Sequence, residues 1–151
     1  MKMTLSGAAA LTAVCLAWAQ PVAAQFAKVD DAIKYRQSAF TVMNIHMGRL
    51  GAMARGDVPF DAAAAQASAK VVELVSHLPW DAFPAGSNTG AAKIKGDPWK
   101  DPAGFAKLQE DLKAQTAKLP AAVATLDGLK GQVGATGRAC RACHEQYREV
   151  R

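Results

Sequence analysis

The chain has 151 residues, half of them hydrophobic, with 18 Lys and Arg against 13 Asp and Glu and a formal charge of +5. That length suits one domain with a sizeable core. The modest excess of cations is scattered among acids, which excludes the dense basic footprint of a nucleic-acid binder.

Met1 to Ala24 reads as a secretory leader. Lys2 comes first, then an apolar run from Leu5 to Ala19, then Val22-Ala23-Ala24 as a small-residue cleavage site. Cleavage there starts the mature domain at Gln25 and leaves 127 residues, 25–151, with 17 cations against 13 acids, or +4. The apolar run is short and rich in Ala, and no later segment reaches bilayer-spanning length, so no membrane insertion is expected. Cys15 lies in the leader after Val14, where a lipoprotein site wants a small residue. The expected address is the periplasm.

From Val29 to about Ala54, Ile33, Phe40, Met43, Met47, Leu50 and Met53 recur at steps of three, four and seven, the stripe of an amphipathic helix capped by Asp30 or Asp31. Gly56-Asp57-Val58-Pro59 is a turn. Asp61 then caps a second helix, Ala62 to about Leu78, whose apolar face is Val71, Val72, Leu74 and Val75 and which Pro79 stops. Pro79 to Lys100 holds Pro84, Gly86, Gly90, Gly96 and Pro98 with no sustained period, so it is a long connection, pinned by Trp80, Phe83 and Trp99. Asp101-Pro102 opens a third helix through Phe105, Leu108, Leu112 and Leu119 to Pro120. A fourth runs from near Asp127 to about Val150, with Gly128, Gly131, Gly134 and Gly137 in a row. That row weakens the helix and invites close approach, either by another helix or by a flat cofactor. The prediction is an all-α, antiparallel four-helix bundle.

The last helix contains Cys140-Arg141-Ala142-Cys143-His144, the C-x-x-C-H pattern of covalent haem c attachment. Two thiols three residues apart on one helical turn each add to a haem vinyl group, which holds the next residue, His144, beneath the iron as axial ligand. A thioredoxin-like pair wants a βαβ setting and a zinc site wants two more soft ligands; a structural disulfide is the third alternative. One covalent haem c per chain is the expected cofactor. Arg148, four residues after His144, lies on the same helical face, either beside the imidazole or as a solvated cation at the helix end.

Gln25-Phe26-Ala27-Lys28, Asp31 to Gln37, Leu78-Pro79-Trp80, and Cys140 to His144 with Tyr147-Arg148 together resemble the cytochrome c prime family of class II c-type cytochromes across the mature chain. The resemblance implies a haem pocket in which Arg36 and Gln37 meet a propionate, with Trp80 and Phe83 lining it and Arg148 tuning the proximal side; Arg36 and Gln37 as plain surface residues are the alternative. Low-spin relatives place a Met ligand where this chain has Phe40, so the resemblance implies five-coordinate, high-spin iron that binds NO and CO but not O2, with some electron-transfer capacity. Met43, one turn on, completes the distal gas site or stands as a rival ligand, as do Met47, Met53, His46 and His77. A ligand from this set gives the alternative, a six-coordinate low-spin electron carrier. No distal acid-base residue is spaced onto the Phe40 face, so no enzyme activity is expected. The remaining expected partners are an unidentified redox protein and a second copy joined through the first two helices, with Met47, Leu50, Met53 and Val58 as contact or as core.

Overall fold

A computed structural model describes residues 26–149. The leader, its cleavage site and Cys15 lie outside the described residues, as does Val150. Five helices follow in order: α1 (Val29–Arg55), α2 (Ala62–Val75), α3 (Pro102–Thr116), the single turn α4 (Leu119–Ala122) and α5 (Leu126–Tyr147). The four long ones form the antiparallel bundle, with α1 against α2 and α5, and α3 against α5. Among the described residues the only extended pairing is one isolated bridge, Ile94 with Arg148.

The helix starts follow their capping chemistry. Asp61 accepts from the amides of Ala63 and Ala64, and Asp101 from that of Gly104 with Pro102 in the first turn. Two ends differ from expectation. Lys28 precedes α1 without a side-chain cap, and Asp30 and Asp31 sit inside the first turn, where they complement the helix dipole. Thr125 caps α5 through the amide of Gly128, at the start expected near Asp127, but the helix stops at Tyr147, short of Val150.

One core layer joins Leu50 and Met53 of α1, Ala65, Ala69 and Val72 of α2, Leu119 and Val123, and Leu129 of α5, with Met47 packed against it. Met47, Leu50 and Met53 are therefore core and leave only Val58 of the expected contact set on the surface. The α2 face also corrects the sequence reading. Ala65, Ser68, Ala69 and Val72 turn inward while Leu74 is 64% exposed, because the run 71–75 has no helical period and small residues set the close approach to α1.

The glycine row of α5 divides. A Cβ on Gly128 would clash with the carbonyl oxygen of Ala122, so this glycine permits a close backbone crossing. Gly131 and Gly137 would meet nothing within 4 Å, and Gly134 only the guanidinium of Arg138 at 3.6 Å.

Candidate functional site

The site forms at the end of the bundle where α1 begins and α5 finishes. Leu50 and Leu129 share the core layer. Phe40 stands ten residues before Leu50 and Cys140 eleven after Leu129. At 1.5 Å per residue these steps of about 15 and about 16 Å bring Phe40 level with Cys140 in antiparallel helices.

Five aromatic rings continue from there. Phe40 meets Trp80 edge-on at 5.9 Å between centroids. Trp80 stacks on Phe83 at 6.3 Å, Phe83 meets Phe105 at 5.1 Å, and Phe105 meets Tyr147 at 5.1 Å. Phe40, Trp80 and Phe83 are the residues expected in the pocket; Phe105 and Tyr147 join the row through the docking of α3 on α5, which no sequence period signals. Two indole N–H groups fix the connection: Trp80 Nε1 donates to Ser76 O at 2.7 Å and Trp99 Nε1 to Phe83 O at 3.0 Å. A cavity of about 290 Å³ opens among Trp80, Phe83, Trp99, Phe105 and Gln109.

Arg36 is 2% exposed. Its Nη1 donates to Ala82 O at 2.8 Å and Ser87 Oγ at 2.7 Å, and its Nη2 donates to Ser87 O. Burial pulls the guanidinium below its usual range, and no salt bridge reaches it among the described residues. Gln37 donates through Nε2 to Ala91 O at 2.6 Å. Both residues expected at a propionate thus first hold the connection in place.

On α5, Cys140 and Cys143 are free and half-buried. Burial raises both thiols, Cys143 to about 11 with help from the neighbouring Cys140 charge. Burial holds His144 below its ordinary value, and the nearby Arg148 charge adds to that. Arg148 is reached differently from the helical expectation: it is extended, at φ −114 and ψ 127, although its N–H still donates to His144 O at 3.1 Å.

Of the other ligand rivals, Met43 is 7% exposed one turn beyond Phe40. Met47 and Met53 belong to the distant core layer. His46 lines a groove of about 540 Å³ between α1 and α2 that no α5 residue touches, and His77 sits on the surface beside Glu73 at 3.7 Å.

These residues fit a covalently held haem. Two neutral thiols and a neutral imidazole share one end of a helix, a row of aromatic rings runs from Phe40 to Tyr147, and among the described residues no carboxylate pairs with the buried Arg36. Gly137, two turns before His144 on the same side of α5, offers a Cβ position with nothing within 4 Å.

The Cytochrome C' family model matches residues 31–148. A cytochrome c' of Alcaligenes xylosoxydans is 42% identical over 129 residues, which are 84% of this chain and all of that one. The crystal structure of cytochrome c' from Rubrivivax gelatinosus superposes with a TM-score of 0.79 at 42% identity, over 83% of this chain and all of that one. Variants of cytochrome c prime from Alcaligenes xylosoxidans are similar too, at TM-score 0.77; one, 40% identical over 83% of this chain and all of that one, holds carbon monoxide, and another, 39% identical over 84% of this chain and all of that one, holds NO. The chain belongs to the cytochrome c prime family, and its cofactor is the covalent haem c of that family, with Cys140 and Cys143 in the C-x-x-C-H position.

Proposed function

We propose that this chain is an exported, periplasmic haem c protein whose iron has one protein ligand, His144, and whose open face takes NO and CO and refuses O2. Phe40 carries this reading. It stands on the α1 face level with Cys140, its ring braced by Trp80 at 5.9 Å, and a phenyl ring offers iron no electron pair. Relatives solved with carbon monoxide and with NO support the same ligand class here.

The haem supplies the gas-binding and one-electron chemistry; the protein supplies polarity and access. Cys140 and Cys143 hold it as thioethers. Phe40 and Met43 exclude water and crowd the distal face. Neither side chain would offer a hydrogen-bond donor to a gas bound there, which would favour intrinsically strong binders over O2. Arg148 brings a positive charge to the proximal side of His144. Arg36 and Gln37 would offer the propionates only the donors that their bonds to Ala82, Ser87 and Ala91 leave free. His46 opens onto the groove between α1 and α2 and His77 lies beside Glu73 on the surface, which favours binding and electron transfer over enzymatic turnover.

A second reading has one observation in its favour. Met43 is buried one turn from Phe40, and ligation from there gives a six-coordinate, low-spin electron carrier.

Assembly belongs to this proposal. Val42, Ile45, Leu74 and Leu78 are 38 to 64% exposed on α1 and on α2 and the turn after it, an apolar face suited to a second copy.

Optical spectra of the ferric and the reduced protein test the function, with CO, NO and air added separately. High-spin bands that shift with NO and CO, and oxidation in air without a stable oxygen adduct, are expected. Sharp low-spin bands indifferent to the gases would favour the Met43 reading.

A further inference from the structure

Between Ala91 and Gly96 the long connection passes from the α1 side of the site to the end of α5. Gln37 fixes its start by donating to Ala91 O at 2.6 Å. Its far end pairs with the chain that leaves α5: Lys95 N–H donates to Tyr147 O at 3.2 Å and Glu149 N–H to Lys93 O at 3.1 Å, framing the antiparallel bridge of Ile94 with Arg148.

This pairing ends the haem helix. Tyr147 is the last helical residue and Arg148 is already extended, so the two rungs rather than the α-helical repeat set the direction of the Arg148 side chain. The segment adopts an unusual backbone to make the rungs. Lys93 is left-handed at φ 51 and Gly96 at φ +69. A Cβ on Gly96 would stand 3.0 Å from the carbonyl oxygen of Gln146 and 3.6 Å from the Tyr147 ring. Glycine is required there on two counts, conformation and approach.

We propose that residues 91–96 form a main-chain brace that positions Arg148 beside the proximal ligand His144 and ties that placement, through Gln37, to the helix carrying Phe40, with Gly96 as its positioning residue. The inference rests on His144 being the iron ligand. Arg148 is already exposed, so the brace acts on distance: a cation held near the iron disfavours the ferric state, and a brace that slips lets the side chain swing away, where its field falls off.

The test uses the haem-loaded protein and the variants Gly96→Val, Arg148→Ala and their double. Amide exchange at Lys95 and Glu149 is slow in the wild type and speeds up about tenfold or more in Gly96→Val, while the Val72 amide in α2 keeps its rate. At a fixed applied potential, Gly96→Val and Arg148→Ala each raise the ferric-to-ferrous ratio by about fivefold, and the double variant goes no further than Arg148→Ala. Unprotected Lys95 and Glu149 amides in the wild type, or fully additive shifts in the double variant, overturn the proposal. Should Gly96→Val fail to fold, Gly96→Ala carries the same comparison. A His144→Ala protein that keeps the wild-type ferric spectrum removes the ligand reading itself, an outcome distinct from loss of the brace.

Discussion

Arg36 lies over the ring of Phe83, its guanidinium carbon 4.5 Å from the ring centroid. The contact joins α1 to a connection about fifty residues away, and three hydrogen bonds to Ala82 and Ser87 complete it. A desolvated cation over an aromatic face contributes about 2 kcal/mol. Removing the donors also strands buried acceptors, each at a cost of about 1 to 3 kcal/mol.

Arg36→Met is therefore expected to lower unfolding stability by about 3 kcal/mol. Arg36→Lys should recover part of this, because an ammonium supplies charge but not a planar fork that reaches Ala82 and Ser87 together. Urea unfolding of the haem-loaded protein measures both. A Lys variant as stable as the wild type would show that the fork is dispensable.

Arg36 also marks where the sequence stops being informative. The stripe of α1 is legible because Ile33, Met43 and Leu50 are apolar at helical spacing, and Asp61 and Asp101 mark helix starts by local chemistry. Arg36 sits on that inward face as well, but only acceptors 46 and 51 residues away turn a charge into a core residue. Leu74 fails the other way. It is as apolar as any core residue, and its exposure follows from the small residues on the opposite side of α2. The haem motif was legible because its chemistry is local, within five residues. Its proximal brace pairs Ile94 with Arg148 across 54 positions and left only Gly96 as a trace.

Phe40→Met tests the distal face. Met at this position can place a thioether toward the iron, and the ferric spectrum is expected to turn low-spin while NO and CO affinity falls at least about tenfold, since a gas must then displace a ligand. A spectrum that stays high-spin would mean that residue 40 does not face the iron or that Met cannot reach it.

The glycines of α5 predict opposite signs within one helix. Gly131→Ala should stabilise the protein by up to about 1 kcal/mol, because the added methyl enters open space and the helical propensity improves. Gly128→Ala should destabilise by more than that, because the methyl would clash with the Ala122 carbonyl oxygen and the crossing beneath α4 must open. Thermal unfolding of both variants decides it, and two changes of the same sign would contradict the packing described.

The exposed face of α1 and α2 gives the last expectation. Ile45 is 50% exposed and Leu74 64%, while Met47, Leu50 and Met53 are held in the core layer, so a contact between copies must use the outward residues. Ile45→Glu and Leu74→Glu place an acid in that contact without touching the bundle interior. Burying an unpaired charge costs several kcal/mol, so each variant should weaken self-association by at least about tenfold while leaving the haem spectrum unchanged. Sedimentation at micromolar concentration reads this directly. A wild-type protein that sediments with the mass of one chain would leave these side chains without a partner copy, and the substitutions should then change neither mass nor spectrum.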